Sequence, residues 1–517
     1  MSETGFWELA QRNPTRVALV DEHGTRRTAG ELFKVTNQLV HGLRALGLQH
    51  GDTVATVLGN EAAMIEVAIA TAQAGLYLVP INRNMAPPEI AYIVGDSEAK
   101  VLIASPSELD VIAKATADPA WKNDVALYAT GGDHPRFKPY GDLMKGQPET
   151  APADRKAGWL MNYTSGTTGR PKGVRRPLPP ISPDILGQRY TMFLQLFGIK
   201  PSEGVHLIVS PLYHTAVLGF SMYHLHNGDT LVLMDKWTPE RMLELIEQEK
   251  VTSTHMVPTH FSRLLALPEA KRSQHDLSSL RHMIHGAAPC PVEVKRRMLA
   301  WWGNCIYEYY AASEGGGTII SAADWLKKPG SVGKPWYGSE IRVLADDGTP
   351  SPVGTPGTVY IKMADYKFEY HKDKQKTDSA WKEGFFTVGD AGYLDADGYL
   401  FLCDRKSDMI ISGGVNIYPA EIEGTLITHP AVRDVAVFGI PDDDWGEQVK
   451  AVIELQDGQT ASPALVDDLR HFCGDKLAKH KIPKSIDFTE ALPRDPSGKL
   501  YKRKLRDPYW QGRDRQI

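Results

Sequence analysis

Tyr163-Thr164-Ser165-Gly166-Thr167-Thr168-Gly169-Arg170-Pro171-Lys172-Gly173 packs hydroxyls, two cations and three glycines into one short stretch. Residues without Cβ let backbone amides come close to an anion. Thr164, Ser165, Thr167 and Thr168 add hydroxyl donors, and Arg170 and Lys172 add positive charge. With no acid among them, the combination reads as a phosphate cradle rather than a solvated Ser/Thr/Gly loop. It differs from the ordinary P-loop, which needs Gly, four residues and then Gly-Lys-Ser/Thr. Counting from Gly166, Pro171 stands where the second glycine of that motif would be.

On either side of this loop the chain has the pattern of a layered α/β protein. Apolar runs at 206–210, 230–234, 252–257, 282–285 and 306–310 predict strands, with helical periodicity at 239–249 and 292–302 between them. Before the loop, 28–46 and 61–74 predict helices and 53–58 a strand. The most apolar stretch, 64–81, contains Glu66 and Gln73 and breaks at Gly75, so it predicts a buried helix running into a strand, not a membrane span. Four prolines between 177 and 183 predict an exposed excursion. Near residue 340 the texture changes: apolar runs at 341–344, 357–362 and 399–402, with turns at Asp347-Gly348 and Asp397-Gly398, predict antiparallel pairing. Beyond 405 the pattern is a compact α+β unit, with a turn at 412–414, helices at 419–428 and 462–477, and strands at 432–439, 448–454 and around 486. The boundary falls at 403–407.

At 517 residues and 42% hydrophobic content the chain can bury a large core and divide into at least two domains. A net charge of -5 gives no global electrostatic reason to bind nucleic acid. The four cysteines, Cys290, Cys305, Cys403 and Cys473, lack the paired spacing of zinc or redox sites and favour a reducing, cytoplasmic setting. Met1-Ser2-Glu3-Thr4-Gly5 has neither the basic start nor the apolar run of a signal peptide.

Seven further motifs follow the glycine loop in order. They are Pro211-Leu212-Tyr213-His214, Gly286-Ala287-Ala288-Pro289, Tyr309-Tyr310-Ala311-Ala312-Ser313-Glu314, Thr387-Val388-Gly389-Asp390, Asp404-Arg405-Lys406, Ser412-Gly413-Gly414-Val415-Asn416-Ile417-Tyr418-Pro419 and Pro493-Arg494-Asp495-Pro496-Ser497-Gly498-Lys499. Across nearly the whole chain this series resembles the adenylate-forming superfamily, in its acyl-CoA synthetase (fatty-acid–CoA ligase) branch. The resemblance implies a large N-terminal α/β domain of several subdomains, 1–404, and a small mobile α+β C-terminal domain, 405–517. It also implies the chemistry: ATP with Mg2+ converts a carboxylate to an acyl-adenylate, and the thiol of CoA then displaces AMP. Two anions must meet at the α-phosphorus, so stabilisation has to come from cations and preorganised donors.

By the same resemblance, Lys499 reaches the α-phosphate and the substrate carboxylate; taken alone it reads as a solvated lysine of the basic tail 499–506. Glu314 is the expected magnesium ligand, with Thr164 as a second candidate, since Mg2+ is bound largely through nucleotide phosphates. Thr164, Ser165, Gly166, Thr167, Thr168, Gly169 and Lys172 are expected to hold the leaving pyrophosphate. Gly286, Ala287 and Tyr310 flank adenine, Asp390 and Arg405 hold the ribose hydroxyls, and Ser313 stands beside Glu314. Ala311 and Ser313 replace the family's Gly and Thr, and the methyl at 311 narrows the expected acyl pocket. His214 lies between the carboxylate and the thiol path, as a gate or a positioning group.

The C-terminal domain is expected to rotate at Ser407, where relatives carry Asp or Lys. Ser412, Gly413 and Gly414 then approach the pantetheine arm, while Trp445, His480 and Lys484 meet the adenine and phosphates of CoA. No acid occurs from 211 to 227, which disfavours a zwitterionic amino-acid substrate. The apolar segment 215–222 and the glycines at 315–317 point to a hydrophobic small-molecule carboxylic acid, fatty or alicyclic. An aryl-CoA ligase and a ligase charging a carrier protein are the alternatives. Arg175-Arg176 reads either as a solvated pair or as a contact to CoA phosphates or, through weak association, a membrane face; no residue specifies an oligomeric state.

Overall fold

A computed structural model describes residues 3–122, 124–164, 171–202, 204–364, 367–405, 408–413, 415–494 and 500–511. Two compact units emerge from the packing. The first comprises Met1–Met256, Leu267–Ile284 and Asp365–Ser379, and the second Val257–Ala266, His285–Ala364 and Ala380–Ile517.

In the first unit a sheet with a parallel centre runs in the order Ala126–Ala129, Ala99–Ala104, Thr53–Val57, Tyr77–Pro80, Trp159–Leu160. Its strands are apolar on both faces. Val54, Leu78, Val101 and Ile103 enter one core, while Ala55, Val57, Val79 and Leu102 enter the other. Helices cover both faces, which is why these strands carry unbroken apolar runs instead of alternating ones. Helix Ala29–Ala45 starts at a capping box: Thr28 accepts the Glu31 N–H, and the Glu31 carboxylate accepts the Thr28 N–H. Helix Ala62–Ala74 stops at the left-handed Gly75 and leads into the strand Tyr77–Pro80, as the 64–81 pattern predicts. A second sheet pairs Ser253–Met256, Val205–Ile208, Thr230–Leu233 and Val17–Val20 in parallel, with Arg26–Thr28 antiparallel at its edge.

One expectation changes here. The proline-rich run does not end in a loop, because Pro183 is the first residue of a helix, Pro183–Gln195, that Ser182 caps. Proline fits that position, where its missing N–H has no partner to lose.

The second unit is largely antiparallel, as the Asp-Gly turns predict. Ser339–Leu344, Gly357–Met363, Asp390–Leu394 and Leu400–Arg405 form one sheet with two short strands near Phe385–Phe386. Its last part is built on a long hairpin, Val432–Asp442 with Gly446–Leu455, flanked by Ile410–Ser412 and by the parallel strand Ser485–Thr489. Helices Pro419–Leu426 and Pro463–Gly474 cover one face through Ile422, Leu426, Leu469 and Cys473, and Leu500 and Leu505 pack on the other.

Candidate active site

Residues 165–170 of the glycine loop, with the candidates Ser165, Gly166, Thr167, Thr168 and Gly169, lie outside the described residues, as do Ser407, Gly414 and Lys499. The flanks of the loop belong to the first unit. Thr164 pairs with Lys172 and Tyr163 with Gly173, antiparallel, and the other edge of Lys172–Arg175 pairs with Glu369–Tyr370. The Tyr163 phenol donates to Asp96 at 2.7 Å. Lys172 forms an ion pair with Asp373, and this bond holds the Asp373 carboxyl below its ordinary range. Asp373 lies 201 residues away from Lys172, so no local pattern could have pointed to it.

His214 precedes helix Thr215–Asn227, and its ring lies 4.4 Å from that of Tyr213. Burial, and then the charge of His214, lower the pKa of His255 to about 3. The helix buries Val217, Leu218, Phe220 and Met222. Phe220 stacks on His255 at 4.9 Å and touches Phe193 and Tyr223 at 5.7 and 5.9 Å. Arg175 and Arg176 are not a solvated pair: both are half-buried, over the rings of Tyr77 at 4.8 Å and Trp159 at 5.7 Å.

The second unit brings three of the nucleotide candidates to one carboxylate. Strand register sets Asp390 opposite Arg405, and their side chains approach to 3.6 Å. Tyr310, on the strand Ile306–Ala311, donates its hydroxyl to Asp390 at 2.7 Å. Burial, and then the Asp390 carboxylate, push the Tyr310 phenol well above its ordinary range. Arg405 is steadied from behind, since its N–H and that of Ala420 donate to the Asp404 carboxylate at 2.7 and 3.0 Å.

Gly286 is buried where an added Cβ would lie 2.8 Å from both the ring and the carbonyl of Tyr309, so a larger residue does not fit. Ala287, exposed next to it, takes φ 66°. Such a conformation costs a non-glycine residue about 1 kcal/mol. Ser313 and Glu314 occupy the turn after Ile306–Ala311, and Glu314 is only 6% exposed. Beneath this strand, fully buried Lys295 pairs with Glu308, and His285 Nε2 lies 3.6 Å from the same carboxylate. Burial raises the Glu308 carboxyl against the pull of Lys295. The sequence reading missed this support, although a glutamate inside an apolar strand, two residues before Tyr310, was its signal.

The thiol candidates also gather in the second unit. Gly413 takes φ 58° and donates its N–H to the Trp445 carbonyl at 2.8 Å, and an added Cβ would lie 2.3 Å from the indole. Ser412 pairs with Gly446. Lys484 lies 5.5 Å from the Trp445 ring and 3.2 Å from Asp442, whose carboxylate also accepts the Trp445 N–H at 3.0 Å. His480 is exposed on the turn Lys479–Lys481. On either side of the segment that contains Lys499, Arg494 and Leu500 form a bridge. Arg494 binds Asp434 through two contacts of 2.5 and 2.7 Å, and Lys502 binds Glu423 at 2.8 Å.

The AMP-binding enzyme family matches residues 6–366, and the AMP-binding enzyme C-terminal domain matches residues 421–499. The chain belongs to the AMP-binding enzymes. This AMP-binding enzyme is 33% identical over 506 residues to a feruloyl-CoA synthase of Amycolatopsis sp, a match covering 97% of the chain and 98% of that protein. It is 32% identical over 514 residues to the long-chain-fatty-acid–CoA ligase FadD13 of Mycobacterium tuberculosis, covering 97% and 98%. The crystal structure of ATP-bound MatB from Rhodopseudomonas palustris superposes with a TM-score of 0.84 at 30% identity, covering 98% of the chain and 99% of that structure.

The AMP-binding enzyme is thus a mixed α/β acid–thiol ligase, with a large N-terminal and a small C-terminal domain, that uses ATP, Mg2+ and CoA on a small-molecule acid. Among the described residues no cluster of three or more His, Cys, Asp or Glu could hold a metal ion. No helix among the described residues is long and apolar enough to cross a membrane.

Proposed function

We propose that this AMP-binding enzyme activates a hydrophobic carboxylic acid, fatty or alicyclic, as its acyl-adenylate and transfers the acyl group to CoA. The observation that carries the nucleotide half is the meeting of Tyr310, Asp390 and Arg405 at one carboxylate. Asp390 holds the ribose hydroxyls with Arg405, Gly286 and Ala287 flank adenine, and the glycine loop with Lys172 holds the β- and γ-phosphates as they leave. Glu314, helped by Thr164, holds Mg2+, which supplies positive charge to the phosphates when bound. Lys499 brings its ammonium to the α-phosphate and the attacking carboxylate. The domain boundary lies at 404–405, and rotation at Ser407 then presents Ser412, Gly413, Gly414, Trp445, His480 and Lys484 to CoA, past His214.

The hydrophobic acid is supported by helix Thr215–Asn227, whose buried face after His214 has no acid to pair with an ammonium group. A second reading, an aryl acid, is favoured by the aromatic rings of Phe193, Phe220 and Tyr223 on that helix and its neighbour, and by the likeness to a feruloyl-CoA synthase. CoA-dependent AMP release, measured over fatty, alicyclic and aryl acids, decides between them: the highest kcat/KM is expected among the fatty or alicyclic acids, and an aryl maximum establishes the second reading. AMP release that ignores CoA and requires a carrier protein overturns both. Lys499→Ala is expected to lower adenylation by at least about 100-fold, the loss typical of a well-aimed donor. It should spare thioester formation from supplied acyl-adenylate, and unchanged pyrophosphate exchange removes Lys499 from this role.

A further inference from the structure

A cavity of about 700 Å3 opens in the first unit, where the strands Thr53–Val57, Ala99–Ala104 and Ala126–Ala129 begin. Apart from Arg175, which the sequence offered as a contact to CoA phosphates, it shares no lining residue with the nucleotide or thiol candidates. Its size is that of a small-molecule site, for which 300 to 1,000 Å3 is roughly the usual range. Leu46, an exposed lining residue, gives it apolar surface, with Leu48 and Met161 nearly buried behind.

The charges around it nearly cancel. Lys100 pairs with Asp52 at 2.7 Å and Glu98 with Lys372 at 3.1 Å. Lys122 and Asp124, both exposed at the rim, are of opposite sign. Arg175 makes no ion pair among the described residues, although Glu369 is its partner across the paired strands. Two neutral groups hold it instead. Its guanidinium lies over the ring of Tyr77, which is itself fixed by donating its hydroxyl to the Arg176 carbonyl at 2.7 Å. His371 donates Nε2–H to the Asp96 carbonyl at 3.0 Å, so Nδ1 is the acceptor facing Arg175 Nη1 at 3.4 Å. Burial lowers the pKa of His371, which keeps the ring uncharged. An arginine oriented by a ring and a neutral acceptor keeps its charge available to an anion.

We propose that this cavity is a second small-molecule site, specific for an organic monocarboxylate whose head binds Arg175 and whose apolar body lies along Leu46 and Leu48. Arg175 offers one guanidinium, without an ion pair among the described residues, to one carboxylate. A carboxylate meets the guanidinium through two parallel hydrogen bonds, whereas a phosphate monoester brings roughly 1.5 to 2 negative charges at neutral pH and leaves an excess in a partly apolar site. Position gives the site its interest. Arg175 and His371 stand on or beside the paired strands that carry the glycine loop, and Arg175 is at the other end of the strand that begins with Lys172.

The test is calorimetric titration of the full-length protein, without ATP, with sodium octanoate and separately with octyl phosphate. Wild type is expected to bind octanoate. Arg175→Ala should remove one octanoate site per chain, and so should Ala126→Trp, which fills the cavity and leaves the arginine in place. Octanoate in the acyl pocket survives both substitutions, so the difference of one site stands whether or not it is a substrate. The same loss in both variants, with wild-type circular dichroism, also separates a lost site from a lost fold. Octyl phosphate should bind this site at least 10-fold more weakly. Wild-type stoichiometry in both variants, or no octanoate binding at all, overturns the site; tighter binding of octyl phosphate overturns the monocarboxylate.

Discussion

Tyr310, Asp390 and Arg405 meet on strands, whereas Gly413, Trp445 and Lys484 meet on turns. In the first group the register of paired strands sets Asp390 opposite Arg405, and a hydrogen bond from the half-buried Tyr310 phenol fixes the carboxylate. In the second, the indole is 55% exposed and is held by its own backbone, through the Gly413 N–H and the Asp442 carboxylate. Strand-held groups stay in place without a ligand, while exposed turns yield and re-form at small cost. A ligase that binds ATP first and admits a thiol later needs both kinds of surface. On the proposed reading of the site, preorganisation belongs to the nucleotide side and access to the thiol side.

Asp390→Ala is the strongest way to break this contrast. It strands the Tyr310 hydroxyl and removes two charged acceptors for the ribose, so the KM for ATP should rise about 100-fold while the affinity for CoA stays near wild type; steady-state kinetics with each substrate varied would show equal losses if the two sides were not separate. Gly413→Val comes next. A β-branched residue at φ 58°, pressed against the indole, costs about 2 kcal/mol, which predicts a roughly 30-fold loss in the thioester half-reaction. Pyrophosphate exchange should be untouched, and single-turnover assays of each half-reaction check this. Trp445→Ala removes an exposed stacking surface, with an expected rise of about 10-fold in the KM for CoA and no change for ATP. Tyr310→Phe is the gentlest probe: it deletes one hydrogen bond to Asp390, worth about 1 kcal/mol, and should weaken ATP about 5-fold in an equilibrium titration.

The candidate site residues could be named from sequence because they sit in short motifs whose members are close together. The glycine loop, Thr387-Val388-Gly389-Asp390 and Asp404-Arg405-Lys406 each state their chemistry within a few residues. The antiparallel texture after residue 340 was legible for the same reason, since Asp347-Gly348 and Asp397-Gly398 specify turns locally. The helix Pro183–Gln195 was hidden by its own prolines, which read as loop unless the last is seen to be a helix start. Lys295 was hidden by its type: a lysine on an amphipathic helix reads as solvated, and only the packing of that helix under Glu308 buries it.

What the sequence by itself determined is the set of local choices: periodic apolar faces, caps, turns and the order of the motifs, each decided by neighbours a few residues apart. The tertiary structure alone decided which distant groups share a charge. The Lys172–Asp373 pair joins positions 201 residues apart, and the sheet brings Tyr77 and His371 against the Arg175 guanidinium. Coulomb and hydrogen-bond energies depend on separation in space and on burial. Neither quantity exists until the sheets have brought their strands together.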